Sequence, residues 1–414
     1  MSQSIEAKLL EQWLFYTQAI ALFALAAFVN FSIAGAHISL GLLTLAVGLQ
    51  LLLTKRRQPA ARAALMLGFE WPVMAFTGAC LIATLLSDSP RESFHNMRHL
   101  LTILGAYGVA CTLRQHHAWR TPLLWTYIAV ASAAALYGLA KFALGDHIKV
   151  MSTQSTTMTW GAMATMFALI TTQVALSGET RRARWLARLL LAPQLLALLF
   201  SLVRGAYVGY FAGLAYLLMQ QWRRALPAAL FAIILLVFIA PDSLQQRVLS
   251  IFDLSIMTTQ VRFEQWRYAV QIFTDHPFFG VGWRDLAALT RSYAPPGTNM
   301  SEGVAFDVFH IGHYHSIYVT LLVCVGLVGL SAFLWLMFAV WRKLGMAMRE
   351  TSAPPRQVVK AARAAMVGFL VAGLFDWTFG DAEVVTMFWF VIGMGLGQHL
   401  QHKVPPSAAS FPAA

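Results

Sequence analysis

The sequence predicts an all-α polytopic membrane protein of about 12 transmembrane helices, with one large, partly helical loop outside the bilayer. Composition is the first reason. Of 414 residues, 58% are hydrophobic and 12% charged, with a mean hydropathy of +0.62, whereas soluble domains carry about 25% charged residues. Second, the apolar residues come in runs near the roughly 20 residues that cross a bilayer; a β-barrel would show alternating segments of about 10. Third, basic residues gather between alternate runs.

The runs are read at 13–35, 37–54, 71–87, 98–113, 121–143, 156–176, 185–202, 205–221, 225–241, 315–341, 358–375 and 382–400. The polar start "MSQSIEAKLLEQW" lacks the basic stretch and cleavage site of a signal peptide, so the first run is expected to be retained. The segments "TKRRQPAAR", "RQHHAWR", "ETRRARWLAR", "QQWRR" and "WRKLGMAMRETSAPPRQVVKAAR", with Lys8 and Lys403, hold 20 of the 30 Lys and Arg residues. This bias places both termini in the cytoplasm. Together with attraction to anionic membrane lipids, it accounts for most of the net charge of +12, and no nucleic-acid partner is required. Cys80, Cys111 and Cys324 fall inside expected spans, without disulfide or metal-type spacing. The expected organisation is spans one to nine over 1–241, an external loop over 242–314, spans ten to twelve over 315–400, and a cytoplasmic tail over 401–414.

A loop as long as 242–314 is usually functional or disordered, and this one carries helical signals. In "RFEQWRYAVQIF", Phe263, Trp266, Val270 and Phe273 recur at helical spacing. Thr258 or Thr259 is the candidate cap, and Asp275–Pro277 the stop. Leu244, Val248, Ile251 and Phe252 form a second amphipathic stretch against the membrane face, and Ala294–Thr298 reads as a turn. The loop has five arginines and no lysine. Arginine makes forked, permanently charged bonds to phosphate, the chemistry a diphosphate site favours. The plainer reading is ion pairing, as between Glu264 and Arg267 at i,i+3.

Arg204, in "LVRGAYVG", lies between two apolar spans with almost no loop. A cation at such depth costs about 2.5–3.5 kcal/mol on insertion scales and is a functional candidate; snorkelling to the surface is the alternative. Arg91 and Arg98 fall on the same outer side, as do Asp376 and Asp381, either of which could orient a base or pair an arginine.

"HIGHYHS" brings His310, His313 and His315 together. Positions i, i+3 and i+5 share no helical face and no fourth ligand completes a set, so no metal site is expected. His315 is expected in the first turn of the tenth span, where a helix end fixes the ring. The positive end of a helix favours the neutral imidazole that a general base uses. His310 and His313 read as loop histidines. Gly326 and Gly329 are expected to let another helix approach closely.

The pattern His315–Ser316, nine residues, then "GLVG" resembles the H-[N/S/Q]-x9-G-x-x-G motif of bacterial O-antigen ligases and their relatives, the O-antigen polymerases and protein O-oligosaccharyltransferases. "LVRGAYVG", with Arg204 and Tyr207, is similar to that superfamily's arginine-containing span. "RFEQWRYAVQIFTDHPFFGVGW" is similar to its external-loop segment, R-x3-W followed by P-x2-G-x-G. The resemblance is clear over roughly 195–335 and topological elsewhere.

It implies a GT-C-like glycosyltransferase of the bacterial inner membrane with a periplasmic active site and no cofactor. The donor would be a glycan on undecaprenyl diphosphate, and the acceptor a sugar hydroxyl of lipid A–core. His315 would be the general base. Arg204 and Arg262 would stabilise the leaving diphosphate, with Arg91, Arg98, Arg267 or Arg291 as helpers and Ser316, Gly326, Gly329, Asp376 and Tyr207 in support. Ligase and polymerase are not separated by these motifs. A lipid-linked glycan flippase is the alternative of another class; transporters place their polar sites near the midplane, whereas the polar residues here gather on one face.

Overall fold

The computed structural model describes residues 2–55, 66–221, 253–352 and 355–398, with positions 227, 245, 246, 249 and 250 besides. Every regular element among them is helical. The chain opens with α1 (Ser2–Phe28), α2 (Ile33–Lys55), α3 (Glu70–Leu85) and the short α4 (Pro90–Met97). A 3-10 stretch, Arg98–Ile103, leads into α5 (Leu104–Gln115); α6 (Arg120–Ala143), α7 (Thr157–Ser177), α8 (Arg181–Phe200) and α9 (Arg204–Gln221) follow. The expected span over 98–113 is thus part 3-10 and part α-helix.

Among the described residues, six helices are long and apolar enough to cross a membrane: α1, α2, α6, α7, α8 and the later α13 (Ile317–Glu350). Two shorter apolar helices, α3 and α15 (Ala382–Leu396), accompany them. α14 (Pro355–Ala372) joins α13 to α15. The expected ninth span, the stretch 56–62, the tail 401–414 and most of the 244–252 stretch lie outside the described residues.

Burial sorts the helices into centre and rim. α7 is buried over 94% of its apolar window and α8 over 22%. A helix apolar all round belongs in the interior or in lipid; α7 takes the first place, and α8 turns most of its surface outward. α15 is buried along its length. α14 packs against α7, α9 and α15, and α15 packs on α5. Where α9 crosses α14, a Cβ on Gly209 would stand 2.6 Å from the Gly368 carbonyl oxygen, so the small side chains set the approach of the helices.

Side-chain caps start several helices. Thr156, Thr180 and Ser316 accept hydrogen bonds from Thr159 N, Ala183 N and Val319 N, meeting amides that a helix leaves unpaired at its first turn.

Outside the membrane-length helices, the segment 253–316 holds α10 (Met257–Asp275), α11 (Leu286–Ser292) and α12 (Gly303–His310). The expected stop at Asp275 and the turn at 294–298 are present. Val261, Tyr268, Val308 and Phe309 form a small core between α10 and α12. α10 also packs on α13.

Candidate active site

α13 is broken. Gly326 has φ 64° and ψ −169°, so the helix stops and restarts there. Such a break orphans backbone groups on both sides, and the stretch Pro277–Gly282 meets them. Val281 N donates to Val323 O at 3.0 Å, and Gly282 N to Cys324 O at 2.8 Å. Leu327 N and Val328 N donate to Pro277 O and Phe278 O at 2.9 and 3.1 Å. Close contact demands glycine on both partners. A Cβ on Gly280 would sit 2.3 Å from Val323 O, and one on Gly326 at 2.3 Å from the Phe278 carbonyl. The expected role of Gly326, a seat for another helix, is therefore corrected: the turn and loop Pro277–Gly282 occupy that position. Gly329 faces Val325 of its own helix across the break.

The same helix begins at Ile317 with Ser316 as N-cap. His315 therefore precedes the first turn rather than standing in it, correcting the expectation. It has φ 46°, a left-handed conformation uncommon for a residue with a side chain. Such backbone persists where its surroundings over-determine it, and here they do. Trp266 Nε1 donates to the Tyr314 carbonyl at 2.8 Å. The Tyr314 hydroxyl and Thr290 Oγ1 are 2.9 Å apart. Gly373 O accepts from Ile317 N at 2.8 Å and from Ser316 Oγ at 3.5 Å.

Gly373 opens the α14–α15 connection, which carries Asp376. Trp377 N donates to Asp376 Oδ1 at 2.8 Å and so fixes the carboxylate. The same oxygen lies 3.6 Å from His315 Nδ1, with the two side chains 12% and 10% exposed. Nδ1 is buried, so the accessible remainder of the imidazole belongs to its other atoms.

His313 is the residue the sequence reading missed. Its ring meets that of His315 edge to face at 4.6 Å, and its Nδ1 accepts from His315 N at 3.3 Å. Burial first, then the neighbouring His315, pushes its imidazole down to about 4, with Arg262 acting in the same direction. His310, by contrast, stacks on Phe306 at 4.3 Å with Nδ1 2.8 Å from the Phe306 carbonyl oxygen. Among the described residues, no group of three or more His, Cys, Asp or Glu is placed to hold a metal ion.

The arginines divide. Arg262 lies on α10 within electrostatic reach of His313 and donates through Nη1 to Thr258 O at 3.3 Å. Arg204 Nη2 reaches the Thr258 and Thr259 hydroxyls at 2.9 and 3.1 Å, and Nη1 donates to Ser250 O. Neither threonine caps α10, which begins after Ile256 without a side-chain cap; both receive the guanidinium instead.

Arg267 pairs with Glu264 at 2.8 Å on the exposed face, and Arg291 donates to Phe309 O at 2.6 Å. Arg91 and Arg98 are exposed, on α4 and at the 3-10 stretch. None of these four has a recorded contact with His315 or Asp376. Tyr207 donates to Leu199 O, tying α8 to α9. Asp381 accepts from Thr159 Oγ1 at 2.8 Å, and burial pushes its carboxyl up to about 7.

Asp376, His315, His313, Arg262 and Arg204 thus run in succession at one end of the helices. A fixed imidazole with a carboxylate behind it can move a proton, and adjacent guanidiniums can hold phosphate. No curated protein matches the chain. Residues 189–334, from within α8 to past the break in α13, match the family model described as O-Antigen ligase, so this part of the chain is similar to the domain of that family.

Proposed function

We propose that the protein is an O-antigen ligase of the bacterial inner membrane. It transfers a glycan from undecaprenyl diphosphate to a sugar hydroxyl of lipid A–core at the periplasmic face. The observation that carries this reading is the Asp376–His315 pair, with Arg262 acting on the adjoining His313, in a chain whose residues 189–334 match the O-antigen ligase family.

In the proposed mechanism, Asp376 holds a proton on His315 Nδ1 and leaves Nε2 as the base. The 3.6 Å separation is long for a hydrogen bond, as catalytic contacts often are before substrate binds. His315 takes the proton of the acceptor hydroxyl while its oxygen attacks the anomeric carbon. The bond from that carbon to the diphosphate oxygen breaks, undecaprenyl diphosphate leaves, and the configuration inverts. Arg262, with Arg204 behind it, stabilises the charge that develops on the diphosphate. The leaving group is already good, so neither a metal nor an acid is assigned to it.

The test uses purified protein in nanodiscs with undecaprenyl-diphosphate glycan, lipid A–core and a chelator. Glycan moved onto lipid A–core by wild type and not by His315→Ala is the expected result. Longer lipid-linked glycan with unmodified core would make the protein a polymerase. Full transfer by His315→Ala would remove the base.

A further inference from the structure

The stretch that meets the broken α13 runs on into Trp283, which is 5% exposed. Its backbone is held before, at and after the residue. Gly282 N donates to Cys324 O at 2.8 Å, and a Cβ on Gly282 would stand 2.6 Å from Ser93 Oγ. Asn96 Nδ2 on α4 donates to Trp283 O at 2.9 Å. Arg284 faces Asp88 at 3.6 Å, and Asp285 N donates to Glu92 Oε1 at 2.7 Å. The indole therefore starts from a fixed origin.

Its ring meets the connection that carries Asp376. The Trp283 ring lies 5.9 Å from Trp377 at 39° and 6.5 Å from Phe379 at 43°. Phe379 packs in turn on Phe76 of α3 and Phe333 of α13, at 6.0 and 5.1 Å. Gly380 lies against the Trp377 indole, where no Cβ would fit. Trp377 is the residue whose N–H donates to Asp376 Oδ1 at 2.8 Å. The ends of the connection are tied elsewhere: Gly373 O accepts from Ile317 N, and Asp381 accepts from Thr159 Oγ1, each at 2.8 Å. Between those ends, ring contacts set where Trp377 stands, and with it the carboxylate.

We propose that Trp283 is a positioning residue for Asp376: its ring contact with Trp377 holds the carboxylate at its place beside His315 Nδ1, and Trp283 itself touches no substrate. Its role in transfer rests on the ligase reading; its hold on the connection does not. A tryptophan suits the task, since a large ring on two rotatable bonds passes on the position of a fixed backbone with little freedom. The segment between α9 and α13 then supports both halves of the pair. Trp266 holds the backbone next to His315, and Trp283 holds the carboxylate behind the imidazole. A reacting group is kept in register by packed neighbours of this kind.

The test has two arms. In the first, amide hydrogen exchange is followed by mass spectrometry in nanodiscs for wild type, Trp283→Phe and Trp283→Leu. It compares residues 374–380 with the amides of Leu327 and Val328, which Pro277 and Phe278 hold. In Trp283→Leu the Trp377 amide is expected to exchange about fivefold faster, the scale of one lost aromatic pair, with Leu327 and Val328 unchanged. Trp283→Phe keeps a smaller ring and is expected to show about a twofold change at the same amide; it carries the test if Trp283→Leu does not fold. Unchanged exchange at 374–380, or equal loosening of both segments, would overturn the proposal.

The second arm measures transfer by Trp283→Leu, Trp283→Phe, Asp376→Asn and the double variants. The maximal rate is expected to fall about tenfold in Trp283→Leu and less in Trp283→Phe, with both KM values little changed, while neither double variant is slower than Asp376→Asn alone. Losses that multiply in the double variants would overturn action through Asp376. Absence of transfer by wild type would defeat the ligase reading, and the exchange arm would still decide whether Trp283 holds the connection.

Discussion

The Trp266 indole N–H donates to the Tyr314 carbonyl at 2.8 Å, binding the helix α10 to the residue before His315. The spacing R-x3-W now has a physical content. Arg262 and Trp266 are one helical turn apart, so the anchor that positions the histidine backbone also sets the place of the arginine. Trp266→Phe keeps the apolar bulk and removes the bond. Thermal unfolding is expected to register about 1 kcal/mol, while the transfer rate drops at least tenfold because the left-handed His315 loses a support. Equal transfer by the variant would show that the remaining contacts suffice.

Asp376→Asn tests the partner of the base. The amide keeps shape and volume but cannot stabilise a protonated imidazole. The maximal rate is expected to fall tenfold or more, with donor and acceptor KM little changed. A rise in KM alone would move Asp376 from proton transfer to substrate binding.

The two arginines of α10 should separate cleanly. Arg267 is more than half exposed, pairs with Glu264 and lies over the Tyr268 ring, so Arg267→Ala is expected to shift stability by about 1 kcal/mol or less and leave transfer intact. Arg262→Lys and Arg204→Lys keep the charge and lose the fork; transfer is expected to fall in both. In Arg204→Lys the start of α10 should also exchange amide hydrogen faster, since the bonds to Thr258 and Thr259 are weakened.

Gly326→Ala and Gly280→Ala should each abolish the folded protein or its thermal stability. At Gly326 the backbone alone costs an ordinary residue about 1–3 kcal/mol, and the new Cβ would overlap the Phe278 carbonyl. Gly297 supplies the control: its φ is also positive, at 82°, but a Cβ there meets nothing within 4 Å. Gly297→Ala is expected to cost only its backbone strain, read as a small shift in Tm.

His313 gives a pH dependence of defined sign. Its folded imidazole is pushed down to about 4, against an ordinary value of about 6.5 when unfolded. Between those values the unfolded chain binds the extra proton. The contribution of His313 to stability is therefore full above about 6.5 and lost as the pH falls toward 4. Asp381, raised to about 7, works in the opposite sense over an overlapping range. The measurement is consequently a comparison: Tm against pH for wild type and His313→Gln, the variant losing less stability on acidification.

Composition and apolar run length alone determined the helical membrane class, because bilayer thickness and backbone hydrogen bonding leave few solutions. Most helix limits also followed locally, and so did the polar end of the molecule, since charged residues avoid the interior of the spans. His315, Arg204 and Arg262 were legible as types of residue in unusual places. What the tertiary structure decided was their company. The pairing of Asp376 with His315 joins residues 61 positions apart in sequence, and His313 became part of the site only because the chain bends back on itself at a left-handed residue. Gly326 offered no local sign of whether a helix or a loop would face it. That depended on Pro277–Gly282 supplying two donors and two acceptors to a broken helix, a complementarity between distant backbones that no single stretch of sequence contains.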